Sequence, residues 1–239
     1  MTDKFHFTFK NLEMQYQAAL DEGYTFCTCE EYMELKISGL PEKLIVNRID
    51  IDFSAKKAGR LLDIFNKLNI KGSFFIRLHA PEYNPFSFEN YRIIKAMINS
   101  GHEIGYHSEI VDQSIIWEES AEACLLKDID IINRMFDINI VGVASHGGNT
   151  GLNNLDFWKS KTANNYGLSY EAYDKEEGFN LFDTSFYISD SEWTQWKCYN
   201  RGIAMPGDQR TFQEHLTSNH ELIYLLIHSD TYFDHHFYE

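Results

Sequence analysis

The run Leu222-Ile-Tyr-Leu-Leu-Ile227 places six apolar residues in succession and ends on His228. A strand that is apolar on both faces has to be covered on both, as strands are in a parallel sheet flanked by helices. Leu44 to Asp50, Lys71 to Arg77, His102 to His107 and Ile140 to Ala144 read as further short strands. Helical patterns lie between them. Phe9, Leu12, Tyr16, Ala19 and Leu20 recur at helical spacing until Asp21-Glu-Gly23 stops them. Ser54 is a good N-cap for a helix from Ala55 to Leu68, Gly101 ends one from Asn90 to Ser100, and a long helix is predicted from about Trp117 to Met135. Strands alternating with helices predict an α/β fold, and both a (β/α) barrel and an open doubly wound sheet meet the pattern. In either, functional groups collect at the C-terminal ends of the strands.

Charge and composition narrow the partners. Lys and Arg number 21 against 36 Asp and Glu, a net charge of −15, and no basic stripe is present to neutralise phosphates, so nucleic acid is excluded. No apolar run approaches the ~20 residues of a membrane span. The start of the chain lacks a basic patch followed by an apolar stretch, and the expectation is a soluble, cytoplasmic protein. No linker or repeat divides the 239 residues, which predicts one domain. Cys27, Cys29, Cys124 and Cys198 have no zinc-binding spacing and are expected to be reduced thiols.

Four strand ends carry residues fit for chemistry. Asp50 and Asp52 are two apart, so on an extended segment both face one side. His107 follows Gly105, with Ser108 and Glu109 beside it, and His146 lies in Ser145-His-Gly-Gly-Asn149 directly after a strand. Imidazole is the commonest neutral metal ligand. His228 ends the apolar run just before Asp230, an arrangement that suits a general acid with a carboxylate to raise its pKa. His79, His215 and His220 show no partner pattern. Trp193 and Trp196 follow Asp190-Ser191 and offer indole platforms for a sugar ring.

In order along the chain, Arg48-Ile-Asp-Ile-Asp52, Ile70-Lys-Gly-Ser-Phe-Phe75, Gly101-His-Glu-Ile-Gly-Tyr-His-Ser-Glu109 and Leu225-Leu-Ile-His228 resemble the polysaccharide deacetylase (NodB-homology) carbohydrate esterases. Tyr187-Ile-Ser-Asp190-Ser191 is similar to a divergent branch found among surface-polysaccharide genes. The resemblance implies a distorted (β/α) barrel with about seven parallel strands, residues 1–43 forming an N-terminal helical extension packed on it. It implies removal of an acetyl group, N-linked first, from a sugar or surface-polysaccharide precursor. It gives Asp50 as the base, His228 as the acid, and Asp52 and His107 as ligands of one divalent metal, Zn²⁺ ahead of Co²⁺, Ni²⁺ or Mn²⁺. The family's second histidine ligand would fall on Val111, which coordinates nothing. Glu109, Asp112 or, more attractively, His146 from another strand end would replace it. Arg48, Arg77, Glu109, Asp190 and Trp193 are the expected substrate contacts.

Two other readings fit parts of the sequence. Val111 suits a deacetylase-like protein that has lost catalysis and serves as a sugar-binding or scaffold subunit. Asp50-Ile-Asp52 also matches the acidic pair of a metal-dependent glycosyltransferase, which would leave His107 and His228 without a role and lacks a glycine-rich phosphate loop.

Overall fold

The structure is a computed structural model that describes residues 7–191 and 195–235. The chain begins with α1 (Phe9–Asp21), β1 (Thr25–Cys27) and α2 (Cys29–Ser38), so the N-terminal segment contributes a strand as well as helices. Then come β2 (Leu44–Ile51), α3 (Ala55–Leu68), β3 (Ser73–Ile76), α4 (Phe88–Asn99) and β4 (Glu103–Ser108). Ser54 caps α3 by accepting from Lys57 N, as its side-chain chemistry predicts. Trp117 ends a separate helix, α5 (Ile110–Trp117), and the helix expected from Trp117 to Met135 starts later, as α6 (Ala121–Phe136). Glu118 breaks them by turning left-handed at φ 56°, and Ser120 caps the second by accepting from Ala123 N. β5 (Gly142–Ser145), β6 (Tyr170–Glu171), α7 (Leu181–Thr184), β7 (Phe186–Ser189), β8 (Lys197–Asn200), β9 (Ile203–Ala204), α8 (Phe212–Leu216) and β10 (Leu222–His228) follow.

Hydrogen bonding orders the strands β6-β5-β4-β3-β2-β10-β7-β8-β9. From β6 to β7 every pairing is parallel, seven strands in all, while β8 and β9 add an antiparallel edge. β1 pairs with residues 44–46 of β2, and β3 takes over from Arg48 onward. Period-two alternation sorts the side chains. Ile45, Ile49, Ile51, Phe74, Ile76, Val143, Ile223, Leu225 and Ile227 pack outward with the helices. Val46, Phe75, Ala144, Tyr170, Ala172, Tyr187, Tyr224 and Leu226 form a second, inner cluster.

That inner cluster closes the sheet on itself. Tyr224 on β10 donates its hydroxyl to the carbonyl of Ala172 just past β6 at 3.2 Å, and the Tyr173 and Tyr187 hydroxyls meet at 3.2 Å. Among the described residues no backbone ladder joins β6 to β7, so side chains alone span the seam. The fold is a (β/α) barrel of seven parallel strands, distorted at that seam. Glycine provides room where the wall is tightest. A Cβ on Gly142 would lie 2.0 Å from the Tyr170 ring, and one on Gly105 would lie 2.4 Å from the Phe75 ring. At the lower end, the Tyr170 hydroxyl and Ser73 Oγ both donate to buried Glu103, which also accepts from Glu30 N in the first turn of α2. Among the described residues, no helix is long and apolar enough to cross a membrane.

Candidate active site

The upper ends of β2, β3, β4, β5, β7 and β10 carry Asp50 and Asp52, Arg77, His107, His146, Asp190 and His228. Register sets the pairs. Asp50 on β2 lies opposite Phe75 on one side and His228 of β10 on the other, and His107 of β4 lies opposite Ala144 of β5. Alternation sends Arg48, Asp50 and Asp52 to the barrel's inner side, and the two carboxylates do face one site. His107 Nε2 is 3.4 Å from Asp50 Oδ2 and 3.2 Å from Asp52 Oδ1.

The donor atoms of Asp52, His107 and His146 lie within 4.8 Å of one another. His107 donates from Nδ1 to the carbonyl of Ala144 at 2.9 Å, which leaves Nε2 turned to the carboxylates. His146 places Nε2 3.9 Å from Asp52 Oδ1 and Nδ1 3.5 Å from Glu109 Oε1. Burial, His107 and Arg77 hold the His146 pKa below its ordinary value, so the ring is neutral and ready to ligate. Buried Asp52 Oδ1 has no hydrogen-bond partner among the described residues. An orphaned carboxylate oxygen facing two imidazoles is the arrangement a cation completes. Zinc bond lengths and a tetrahedral angle put N and O ligands about 3.4 Å apart, close to the His107 separation. Val111, where a further histidine is absent, packs against the core from the first turn of α5. Asp112 is turned away, accepting from Asn149 N, Thr150 N and the Asn154 amide.

Two partnerships flank this set. Arg48 donates from Nε to Asp50 Oδ1 at 2.9 Å and from Nη2 to Asp50 Oδ2 at 2.6 Å. Burial alone would raise the Asp50 pKa, but Arg48, His107 and His228 outweigh it and hold the carboxyl below its usual range. On the other side, Asp190 accepts from His228 Nδ1 at 2.7 Å and from His228 N at 3.0 Å. Burial works against the charged ring, yet Asp190, with Asp52 and Asp50 farther off, raises the His228 pKa to about 9.

The expected partner of His228 is therefore corrected. Asp230 instead accepts from Phe53 N at 2.9 Å, and Asp190 from a neighbouring strand holds the imidazole. Arg48 and Asp190, expected as substrate contacts, are 1% and 0% exposed, with their charged atoms engaged by Asp50 and His228. Arg77 and Glu109 pair at 2.6 Å and border a cavity of about 130 Å³ shared with His79, Trp117 and Asn149. Trp193 lies outside the described residues, and Trp196 is buried and stacked on Phe7, so it is no platform.

No family model and no curated protein matches the sequence. Solved structures do. The chain is similar to IcaB from Ammonifex degensii (19% identity, TM-score 0.49, covering 68% of this chain and 74% of that one). It is similar to the Streptococcus pyogenes deacetylase PplD in complex with acetate (18% identity, TM-score 0.44, covering 57% of this chain) and spans 61% of that protein's length. A mutant of BA3943, a CE4 family pseudoenzyme with restored enzymatic activity, is similar at 15% identity and a TM-score of 0.47, covering 80% of this chain and 59% of that one.

Proposed function

We propose that this chain is a metal-dependent hydrolase that removes an N-linked acetyl group from a sugar or surface-polysaccharide precursor. One observation carries the reading. Asp52, His107 and His146 converge between an arginine-held carboxylate and a carboxylate-held imidazolium, the two groups that hydrolysis of an amide needs.

Asp52, His107 and His146 would hold one divalent cation, Zn²⁺ first, which bound there supplies Lewis acidity toward the acyl carbonyl and makes water more acidic. Asp50 has the geometry of the base. Its Oδ2 faces His107 Nε2 at 3.4 Å, and the Arg48 fork keeps it anionic, ready to take the proton of an attacking water. His228 has the geometry of the acid. Asp190 holds Nδ1, which leaves the Nε2 proton for the departing nitrogen, and the raised pKa keeps the ring charged near neutral pH. Water adds to the acyl carbon, the C–N bond breaks, Asp50 gains one proton and His228 gives one up. Acetic acid and a free amine leave, the acid passing its carboxyl proton to the amine or to solvent to become acetate, and one proton passing from Asp50 back to His228 restores both groups. Arg77 and Glu109 border the place where the rest of the sugar would enter.

The test joins metal content to acetate release. The full chain should bind a zinc-class ion that His107→Ala fails to hold at this site, and it should release acetate from some member of a panel of acetylated amino sugars. Asp50→Asn should keep the metal and lose turnover by about 10²–10⁴-fold. If the Asp52 site takes no metal after incubation with Zn²⁺, Co²⁺ or Ni²⁺, the hydrolase reading falls and a sugar-binding scaffold replaces it.

A further inference from the structure

A second set of donor atoms converges on the outer side of the barrel. Cys198 on β8, Asp208 in the loop after β9 and His215 on α8 each offer one ligand atom, all within 4.8 Å of one another. Cys198 Sγ is 3.2 Å from His215 Nε2, and Asp208 Oδ1 is 3.5 Å from that same nitrogen. Zinc bond lengths at a tetrahedral angle place sulfur and nitrogen ligands about 3.6 Å apart, and nitrogen and oxygen about 3.4 Å apart. Both contacts fall within about 0.4 Å of those spacings.

Two of the three ligands are buried and the third is partly open. Cys198 and His215 are 2% and 0% exposed, and the Asp208 side chain, 13% exposed, forms the open side. Arg210 grips Asp208 through Nη2 to Oδ2 at 2.7 Å and Nε to Oδ1 at 3.0 Å, so the carboxylate is anionic and fixed. Burial and Arg210 bring His215 down to about 4, and its Nε2 faces the Cys198 thiol at 3.2 Å. Burial pushes the Cys198 thiol up to about 12.

We propose that Cys198, Asp208 and His215 form a second metal site, distinct from the Asp52 site, that takes a thiophilic divalent ion of the zinc class as a structural staple. A mixed sulfur, nitrogen and oxygen set suits a borderline ion and not Mg²⁺ or Ca²⁺, which call for oxygen ligands. On binding, the S–H bond breaks, a metal–thiolate bond forms and one proton leaves to solvent, with no change of oxidation state. The staple would join the antiparallel edge to α8 beneath a strand that matters. Cys198 lies opposite Ile188 of β7, and β7 runs directly into Asp190, the partner of His228. Phe186 of the same strand packs on the His215 ring at 4.7 Å.

Cobalt separates this site from the other, because Asp52, His107 and His146 contain no sulfur. Metal-free full-length protein is titrated with Co²⁺ and followed by the near-ultraviolet thiolate-to-cobalt charge-transfer band. In His107→Ala, which leaves this site alone, the band should saturate at one equivalent of bound ion with one proton released per ion; it should also form in the wild type, vanish in Cys198→Ser and be displaced by Zn²⁺. Cobalt uptake by the wild type without the band overturns the proposal and leaves a thiol–imidazole hydrogen bond. A band that survives in Cys198→Ser overturns it too. The wild-type titration stands even where Cys198→Ser fails to fold, and His215→Gln supplies a second loss variant. Loss of metal at the Asp52 site alone bears on the hydrolase reading and leaves the band untouched.

Discussion

Arg48 and Asp50 stand two residues apart on one strand, and the guanidinium of the first holds both carboxylate oxygens of the second, at 2.9 and 2.6 Å. Both are buried, and Arg48 also lies over the Tyr173 ring at 4.9 Å, beside the barrel seam. Replacing it with Met leaves Asp50 as an unpaired buried charge, at a cost of about 3–5 kcal/mol. Urea unfolding near neutral pH reads that loss. In enzyme that folds, the acidic limb of the rate profile should move to higher pH, because a bare buried carboxylate protonates more easily. Arg48→Lys, which keeps the charge and loses the fork, should fall between the two.

The Asp190–His228 pair sets the opposite limb. The folded-state pKa of His228, raised to about 9, exceeds the ordinary imidazole value of about 6.5. Its contribution to stability is therefore complete below about pH 6.5 and is lost as pH climbs through about 9. Under the proposed mechanism, acid catalysis by this ring would fade over the same upper range. Asp190→Asn should bring the basic limb of acetate release down toward about pH 6.5 and flatten stability over that window. An unmoved basic limb would remove His228 from the acid's role.

His102 makes the reverse prediction. Buried against the rings of Phe65 and Phe74, it is held down to about 4 by burial and by Lys71. Because its folded-state pKa is depressed, the unfolded chain binds the extra proton first. Stability is retained above about pH 6.5 and falls as pH drops toward about 4. His102→Leu should weaken the pH dependence of unfolding in that interval, whatever it does to the midpoint at neutral pH.

Gly142 and Gly147 separate packing from conformation. A methyl on Gly142 would meet the Tyr170 ring at 2.0 Å, whereas one on Gly147 meets nothing within 4 Å. Gly142→Ala should cost about 1–3 kcal/mol or more by overpacking the wall. Gly147→Ala should lie within about 0.5 kcal/mol of wild type in thermal or urea unfolding. Its neighbour Gly148 is different again, because an added Cβ would fall 1.5 Å from the Leu152 carbonyl. The Gly-Gly pair after His146 thus serves the turn at its second position.

Patterns that repeat within one segment were legible in the sequence. The apolar run of β10, the two-residue spacing of Asp50 and Asp52 and the Ser54 cap of α3 each announce a local geometry that the fold keeps. Relationships made between segments were not. β6 and β9 are two residues each, too short to show a period, and β7 and β8 have four. Asp190 partners His228 because the β7 and β10 ladder brings residues 38 positions apart together, whereas sequence proximity points to Asp230. Cys198, Asp208 and His215 share no spacing rule, since a hairpin edge, a loop and a helix supply them. The late start of α6 was not legible either, because Glu118 turns left-handed and Glu119 and Ser120 follow it outside the helix, so the helix expected from Trp117 begins at Ala121.

The strand order carries a consequence for biosynthesis. β10, the last strand described, is inserted between β2, among the first, and β7. While the C-terminal segment is still within the ribosome, β2 and β7 each present an open edge, Asp50 lacks its register neighbour and Asp190 has no imidazole to hold. Asp52, His107 and His146 come from the β2, β4 and β5 end of the sheet, whereas His228 arrives only with β10, the last of the seven parallel strands in chain order.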